Sequence, residues 1–244
     1  TTPSESIIFP LTAVGGANMT IDWGDGTTET GLGDNPSHSY ATAGTYTVSV
    51  SGTYDAVYFN FTGSRNKIRS IDQWGTTHWS TMARAFFGCA NLQGTATDSP
   101  NLSSVTDMSM MFLDATSFNQ NIGSWDVSSV TNMGYMFQFV TLSTANYDAL
   151  LTGWASQTLQ PGVNFHGGNS QYSCSGFLAR HSMIGNDGWS ITDGGAAQSG
   201  CADPFITTWQ TTTPGESITF PIGGLGANMT INWGDGVIQT GLGN

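Results

Sequence analysis

Apolar and polar residues alternate along the first fifty positions of the chain, a pattern typical of β-strands with one buried face. The alternation is clearest at residues 6–9, 19–23 and 45–50. Asp25-Gly26 lies between two of these segments and is a hairpin turn signal. The pattern therefore predicts a small β-sandwich over residues 1–52.

A second pattern, with a period of about 25 residues, follows this region. Residues 81–87, 106–112 and 131–137 have similar sequences, with Met and Phe at matching places. This length is typical of one coil of a solenoid, in which a short strand, a helical turn and a return loop repeat. Stacked coils would bury their apolar residues in one continuous core. The residues expected there are Val105, Met108, Met111, Phe112, Phe118, Ile122 and Trp125 in one coil and Val130, Met133, Met136 and Phe137 in the next.

Two segments after the coils have apolar residues at helical spacing. They predict short helices over residues 147–154 and 176–186. Together with the coils they give a short solenoid over residues 53–193. Residues 194–204 are rich in small side chains and predict a linker. The apolar residues of the predicted helices are Tyr147, Leu150, Leu151 and Trp154 in the first and Phe177, Leu178 and Ile184 in the second.

The beginning of the chain is repeated near its end. Residues 212–244 align with residues 1–34 with one residue deleted. The second copy follows residues 205–209, Phe-Ile-Thr-Thr-Trp, which alternate as a strand does. We therefore expect residues 205–244 to be the first half of a second sandwich and residues 1–52 to lack a first strand. The chain is then one repeat length, plus a little, of a longer array.

Charge excludes one large class of partners. Lys and Arg total 5 against 17 Asp and Glu, which gives a formal net charge of −12. Nucleic-acid binding needs clustered cations, so we expect no nucleic-acid partner. The one basic cluster is Arg65, Lys67 and Arg69, whose spacing places all three on one face of a strand; we interpret it as structural or solvated. No apolar run is long enough to predict a membrane span.

Carboxylates near the first hairpin are the candidate metal ligands. Asp22 and Asp25 lie three residues apart beside a glycine turn, and Asp34 would join them if its loop folds back. Such carboxylates, with backbone carbonyls, suit Ca²⁺, the one cofactor considered. Alternatively Asp25 shapes only the hairpin, and the second copy has Asn232 in place of Asp22. Both interpretations stay open.

The three cysteines lack the spacing of a metal site. Cys174 and Cys201 lie on either side of a Gly/Ser-rich stretch and are a possible disulfide, which an exported protein would allow. Cys89 is expected to pack in a core as a small apolar residue.

No catalytic pattern emerges from the polar residues. The chain has no nucleophile elbow to accompany its four histidines, and His38 is expected to be a packing residue. The acids of the coils show no pairing of the kind that glycoside cleavage requires. We therefore expect that the chain is not an enzyme. The acids in question are Asp98, Asp107, Asp114 and Asp126, and the remaining histidines are His78, His166 and His181.

Two family resemblances add to this interpretation. WGDG at 23–26, HSY at 38–40 and AGTYTV at 43–48 resemble PKD-like immunoglobulin-type domains of bacterial surface proteins. Residues 54–192 resemble BspA-like leucine-rich-repeat surface proteins, above all at 117–133, SFNQNIGSWDVSSVTNM. The resemblance implies a mainly β chain from a secreted, often very long protein of the bacterial cell surface. It also implies a role in adhesion and export by the type IX secretion route.

The expected function is that of a structural repeat unit in a giant adhesin or extracellular filament, with neighbouring copies of the repeat as partners in a homo-oligomer. The alternative is a module that binds glycans or proteins through one face of the solenoid. Exposed aromatic residues would favour the alternative, because sugars stack on them. The tryptophans expected in the core instead are Trp74, Trp79, Trp125, Trp154 and Trp189.

Overall fold

The computed structural model describes residues 5–198 and the strands Met229–Asn232 and Ile238–Leu242. The chain forms two compact units, Thr1–Ala202 and Asp203–Asn244. Short strands predominate, with two short helices in the described part, which confirms the prediction of a mainly β fold. Within these residues no helix has the length and apolar character needed to cross a membrane.

Seven short strands begin the first unit, all in antiparallel pairs. β3 is the centre of a three-stranded sheet in the order β4-β3-β6, while β1 pairs with β5 and β2 with β7. Among the described strands β6 therefore has one neighbour, β3, and lies at the edge of this sheet. The strands are β1 (Glu5–Ile8), β2 (Leu11–Thr12), β3 (Asn18–Asp22), β4 (Thr28–Leu32), β5 (Ser37–Tyr40), β6 (Ser49–Thr53) and β7 (Ala56–Val57).

Apolar residues alternate along β3 and the residue after it, and their side chains form the core of this region. Met19, Ile21 and Trp23 are fully buried, whereas the residues between them are not. The Tyr40 hydroxyl donates a hydrogen bond to the Trp23 carbonyl at 3.0 Å, and burial raises the pKa of Tyr40 to about 12. The strand predicted over 45–50 is confirmed only at its end, because β6 begins at Ser49.

The 25-residue segments stack as parallel coils. Backbone N–H groups of one coil donate to carbonyls of the next, in four successive steps from residue 59 to residue 166. Two parallel strand pairs accompany this stack: β8 (Ser70–Ile71) with β9 (Gln93–Gly94), and β10 (Asn164–His166) with β11 (Ser190–Thr192). One bond of each step runs from Phe59 N to Ala85 O at 3.0 Å, from Phe86 N to Met111 O at 2.8 Å, from Phe112 N to Met136 O at 2.9 Å and from Phe137 N to His166 O at 3.0 Å.

A continuous column of side chains fills the coils. The Phe112 ring stacks on Phe86 at 5.6 Å and on Phe137 at 5.4 Å, measured between ring centroids. Every core residue predicted from the 25-residue period, from Val105 to Phe137, is buried. The predicted core of the coils is thus confirmed.

Two helices follow, α1 (Thr144–Ala155) and α2 (Cys174–Gly185), and confirm both helix predictions. α1 begins at the cap residue Ser143, whose side chain accepts a hydrogen bond from the Asn146 N–H. Its four predicted apolar residues are buried. In α2 the buried positions are Gly176 and Met183, and Leu178 is exposed.

The long repeat is visible in the backbone of the second unit. β12 (Met229–Asn232) pairs with β13 (Ile238–Leu242) in the register of β3 and β4, including the shift after the first Met of each hairpin. Residues 199–228 lie outside the described part of the chain, so the linker predicted at 194–204 and the strand predicted at 205–209 stay predictions.

Candidate functional site

The three candidate calcium ligands each fix a separate piece of loop. In each case one carboxylate oxygen accepts a backbone N–H; Asp22 and Asp25 do so within a tight turn, and Asp34 does so from a loop seventeen residues earlier. Among the described residues no group of three or more His, Cys, Asp or Glu side chains is placed to hold a metal ion, and Ca²⁺ stays a prediction. The bonds run from Gly24 N to Asp22 Oδ1 at 2.9 Å, from Thr27 N to Asp25 Oδ1 at 3.0 Å and from Ala17 N to Asp34 Oδ1 at 3.0 Å.

His38 packs against the same hairpin. Its ring stacks on Trp23 at 4.9 Å between centroids, nearly parallel. Its Nε2 lies 2.8 Å from Asp25 Oδ2. This hydrogen bond holds the pKa of Asp25 below its usual value, with help from the Thr27 N–H. His38 is therefore a packing residue, as predicted.

Acidic residues of the coils also accept hydrogen bonds from backbone N–H groups. Asp98 accepts hydrogen bonds from the backbone N–H groups of Trp74 and Gly75. Asp107 accepts from Ser109 N at 2.8 Å. The Ser128 hydroxyl and N–H bind Asp126 and lower the pKa of that carboxyl. Asp107 and Asp126 therefore stabilise their own turns, whereas Asp98 joins two segments about 24 residues apart.

The cysteines have different environments. Cys89 is a fully buried free thiol, and burial raises its pKa to about 12, so it carries no reactive thiolate at neutral pH. Its predicted place in a core is confirmed. Cys174 is the first residue of α2. Cys201 lies outside the described residues, so their disulfide stays a prediction.

Exposed aromatic residues occur where the sequence did not indicate them. The five tryptophans expected in the core are all buried. Tyr58 and Tyr135 are instead 42% and 52% exposed, and Phe61 and Phe139 are also exposed. The 25-residue period could have indicated the exposure of Tyr135, since Tyr135 occupies the position that Arg84 and Met110 have in earlier coils.

These three matching residues share an unusual backbone conformation. Arg84, Met110 and Tyr135 have φ values of 56°, 56° and 58°, in the left-handed region that non-glycine residues rarely adopt. Because unrelated side chains share it, the conformation belongs to the coil and leaves the side chain free to vary. Arg84 Nη1 donates to the Tyr58 hydroxyl at 3.4 Å, and the Tyr135 ring lies 6.1 Å from that of His166. We call these five residues the surface column.

A large cleft lies beside the edge strand β6. Its volume is about 980 Å³, and residues of β6 and of β8 both line it. Trp74 and Trp79 also line the cleft, and each has a buried indole N–H without a hydrogen-bond partner among the described residues. Other apolar residues that line the cleft are Ile7, Tyr46, Val48, Val50 and Ile71.

One comparison with known proteins gives a match. Residues 55–164 match a family model described as "Mycoplasma protein of unknown function, DUF285". The matched region begins just before β7 and ends at the first residue of β10, so it covers most of the coil stack. No curated protein and no solved structure matches the chain. The family has no described function.

Proposed function

We propose that this chain is a structural repeat unit of a long, secreted bacterial surface adhesin or extracellular filament. In this proposal residues 1–52 are a PKD-like immunoglobulin-type sandwich and residues 53–193 a short leucine-rich-repeat-like solenoid. The observation that carries it is repetition at two scales. The coils bond to one another about every 25 residues, and the β3–β4 hairpin recurs in the same register about 210 residues later.

Such repetition favours a scaffold. Each coil bonds to its neighbours along the stack, so stability is spread over the stack and is not concentrated at a single site. Several of the acids considered above, Asp25, Asp107 and Asp126 among them, accept hydrogen bonds within their own turns. We also propose that the chain has no catalytic activity.

Composition supports an extracellular location. Only 9% of residues are charged, and the chain has 32 glycines. A surface of hydroxyl and amide side chains is common among secreted β-proteins. Export by the type IX route is part of the same proposal, on the family resemblance alone.

Surface display can be tested in the producing bacterium. Antibodies raised against residues 1–244 should label intact cells, and mild external protease should remove the label while a cytoplasmic marker survives. Electron microscopy of the parent protein should show elongated particles with a regular repeat. Antigen that is detected only after cell lysis would contradict the proposal.

A second candidate function is ligand binding through the surface column. The supporting observation is the exposure of Tyr58 and Tyr135, which lie in the same stack with the coils of Arg84 and Met110 between them, since exposed tyrosines can stack on sugar rings. A glycan array probed with the chain tests this directly. Binding should fall in Tyr135→Ala and survive in Leu178→Ala, a matched exposed position on α2.

A further inference from the structure

A second column of residues runs beside the surface column on the coils. In three successive coils a turn hydrogen bond joins the carbonyl of the surface-column residue to the N–H three positions later, and the next residue belongs to the second column. The members of the second column share φ values between 61° and 78°. The turn bonds run from Phe87 N to Arg84 O at 3.4 Å, from Leu113 N to Met110 O at 3.3 Å and from Gln138 N to Tyr135 O at 3.2 Å. The second column is Phe61, Gly88, Asp114 and Phe139.

The two columns together hold the exposed aromatic rings. Among the described residues no Trp is exposed, and the exposed Phe and Tyr side chains are Tyr58, Phe61, Tyr135 and Phe139. Single apolar residues on a surface are common, but four rings in two adjacent columns indicate a binding face. The coils of Tyr58 and Tyr135 are three steps apart, which is about 14 Å at the usual spacing of hydrogen-bonded strands. A ligand that contacts both tyrosines must therefore be extended.

Two arginines lie among these rings. Arg84 is exposed and donates two long hydrogen bonds, from Nη1 to the Tyr58 hydroxyl at 3.4 Å and from Nε to Met110 Sδ at 3.5 Å. The guanidinium carbon of Arg65 lies 4.2 Å from the centroid of the Phe61 ring. Neither arginine forms an ion pair with a described residue. Because a guanidinium has five N–H donors and can bind a carboxylate through two of them, Arg84 retains donors for a carboxylate from outside the chain.

This face also differs in charge from the rest of the chain. The formal net charge is −12, yet two of the five Lys and Arg lie here, and Asp114 is the one carboxylate of the two columns. Elsewhere Lys67 and Arg180 have acidic partners, at 3.0 Å and 2.8 Å. Unpaired positive charge on one face of an acidic chain favours an anionic ligand at that face.

We propose that the two columns bind an extended acidic polysaccharide. Its sugar rings stack on the exposed tyrosines and phenylalanines, and its uronate carboxylates pair with Arg84 and Arg65. A neutral glycan would use the rings only. The inference rests on the second candidate function, since it names the chemical class of glycan that the surface column takes.

Binding can be measured with fluorescent oligosaccharides from three uronate-containing polymers: polygalacturonate, alginate and hyaluronate. The receptor is the full chain, and fluorescence anisotropy is the measurement. At least one oligosaccharide should bind saturably. The same oligosaccharide with its carboxylates reduced to alcohols should bind at least about tenfold more weakly, because the charge-assisted bonds to the arginines are lost.

Charge variants should give effects of opposite sign. Arg84→Gln should weaken binding of the acidic oligosaccharide about fivefold. Arg69→Gln removes the same charge from an exposed residue of the cleft and should not change binding. Asp114→Asn should strengthen binding about twofold, because it removes a repulsive charge from the second column. Asp126→Asn is its matched control, since Asn101 makes the equivalent turn bonds in the preceding coil.

The possible outcomes distinguish this proposal from the function on which it rests. If an oligosaccharide binds equally well with and without its carboxylates and Tyr135→Ala weakens both, the face binds glycans and the choice of an acidic one is wrong. If none of the three acidic oligosaccharides binds with a Kd below about 1 mM, the proposal is also wrong, whatever neutral glycans an array shows. An Arg84→Gln variant that loses no more affinity than Arg69→Gln overturns the assignment of the arginine.

Discussion

The Tyr147 hydroxyl donates a hydrogen bond to Asp193 Oδ2 at 2.8 Å, across 46 residues of chain. Arg180 Nε donates to the same oxygen at 2.8 Å, and the Asp193 side chain is only 2% exposed. Burial raises the pKa of Tyr147 well above its usual value of 10, and the charge of Asp193 raises it further. These three residues connect α1, α2 and the segment after β11.

Removal of the carboxylate should therefore destabilise this end of the first unit. We expect Asp193→Ala to lower the free energy of unfolding by about 3–5 kcal/mol, because the half-buried Arg180 then lacks its partner. Tyr147→Phe removes one hydrogen bond only and should cost about 1 kcal/mol. Urea denaturation followed by tryptophan fluorescence measures both. Equal losses in the two variants would contradict the assignment of Asp193 as the centre of the cluster.

Two helical glycines give a matched pair. A Cβ on Gly153 of α1 would collide with the Gly123 carbonyl oxygen, whereas one on Gly185 of α2 would meet open space. Alanine normally stabilises a helix relative to glycine. Gly153→Ala should nevertheless destabilise the chain by about 1–3 kcal/mol, because backbone atoms of the neighbouring coil cannot move aside easily. Gly185→Ala should be neutral or slightly stabilising in the same thermal unfolding assay. An unchanged melting temperature in Gly153→Ala would show that α1 does not pack closely against Gly123.

The contact between Asp25 and His38 predicts a pH effect. The pKa of Asp25 in the folded chain lies below its usual value of 3.8. Its contribution to stability is then present above pH 3.8 and is lost as the pH falls through the folded pKa. His38→Ala should move the Asp25 pKa upward, as measured by carboxyl carbon chemical shifts. Asp126, whose pKa Ser128 lowers, should not change and is the internal control. An unchanged Asp25 value would assign its shift to the Thr27 contact instead.

The thiols can be counted by alkylation. Cys89 should remain unmodified in the folded chain because it is buried and its pKa is raised to about 12. With the predicted disulfide between Cys174 and Cys201, denaturation without reductant should expose one reactive thiol, and reduction should expose all three cysteines of the sequence. Mass spectrometry distinguishes these states. Three reactive thiols before reduction would show that the disulfide is absent.

The sequence predicted those parts of the fold that follow from periodicity. The buried Met108 and Phe112 were predictable because the period of the coils places equivalent side chains in one column. The helix around Trp154 was predictable from spacing within one element. By contrast, the Tyr147–Asp193 bond joins residues on different elements, and local patterns do not report such distances.

Candidate sites were harder to predict than the core. The exposure of Tyr135 depends on a left-handed turn of the coil, which no local propensity of tyrosine indicates. The cleft requires two edges, β6 and β8, that lie in different sheets. The lining of this cleft, with Val48 and Trp74, became apparent only from the packing of these sheets.

Bonding between successive coils has an evolutionary consequence. The Phe86 N–H donates a hydrogen bond to the Met111 carbonyl of the next coil. The equivalent Phe112 N–H donates to the Met136 carbonyl of the coil after that. Duplication or loss of the gene segment for one such coil leaves the remaining bonds intact. Recombination within the gene can therefore change the length of the protein in whole steps, and populations should carry variants that differ by multiples of about 25 residues.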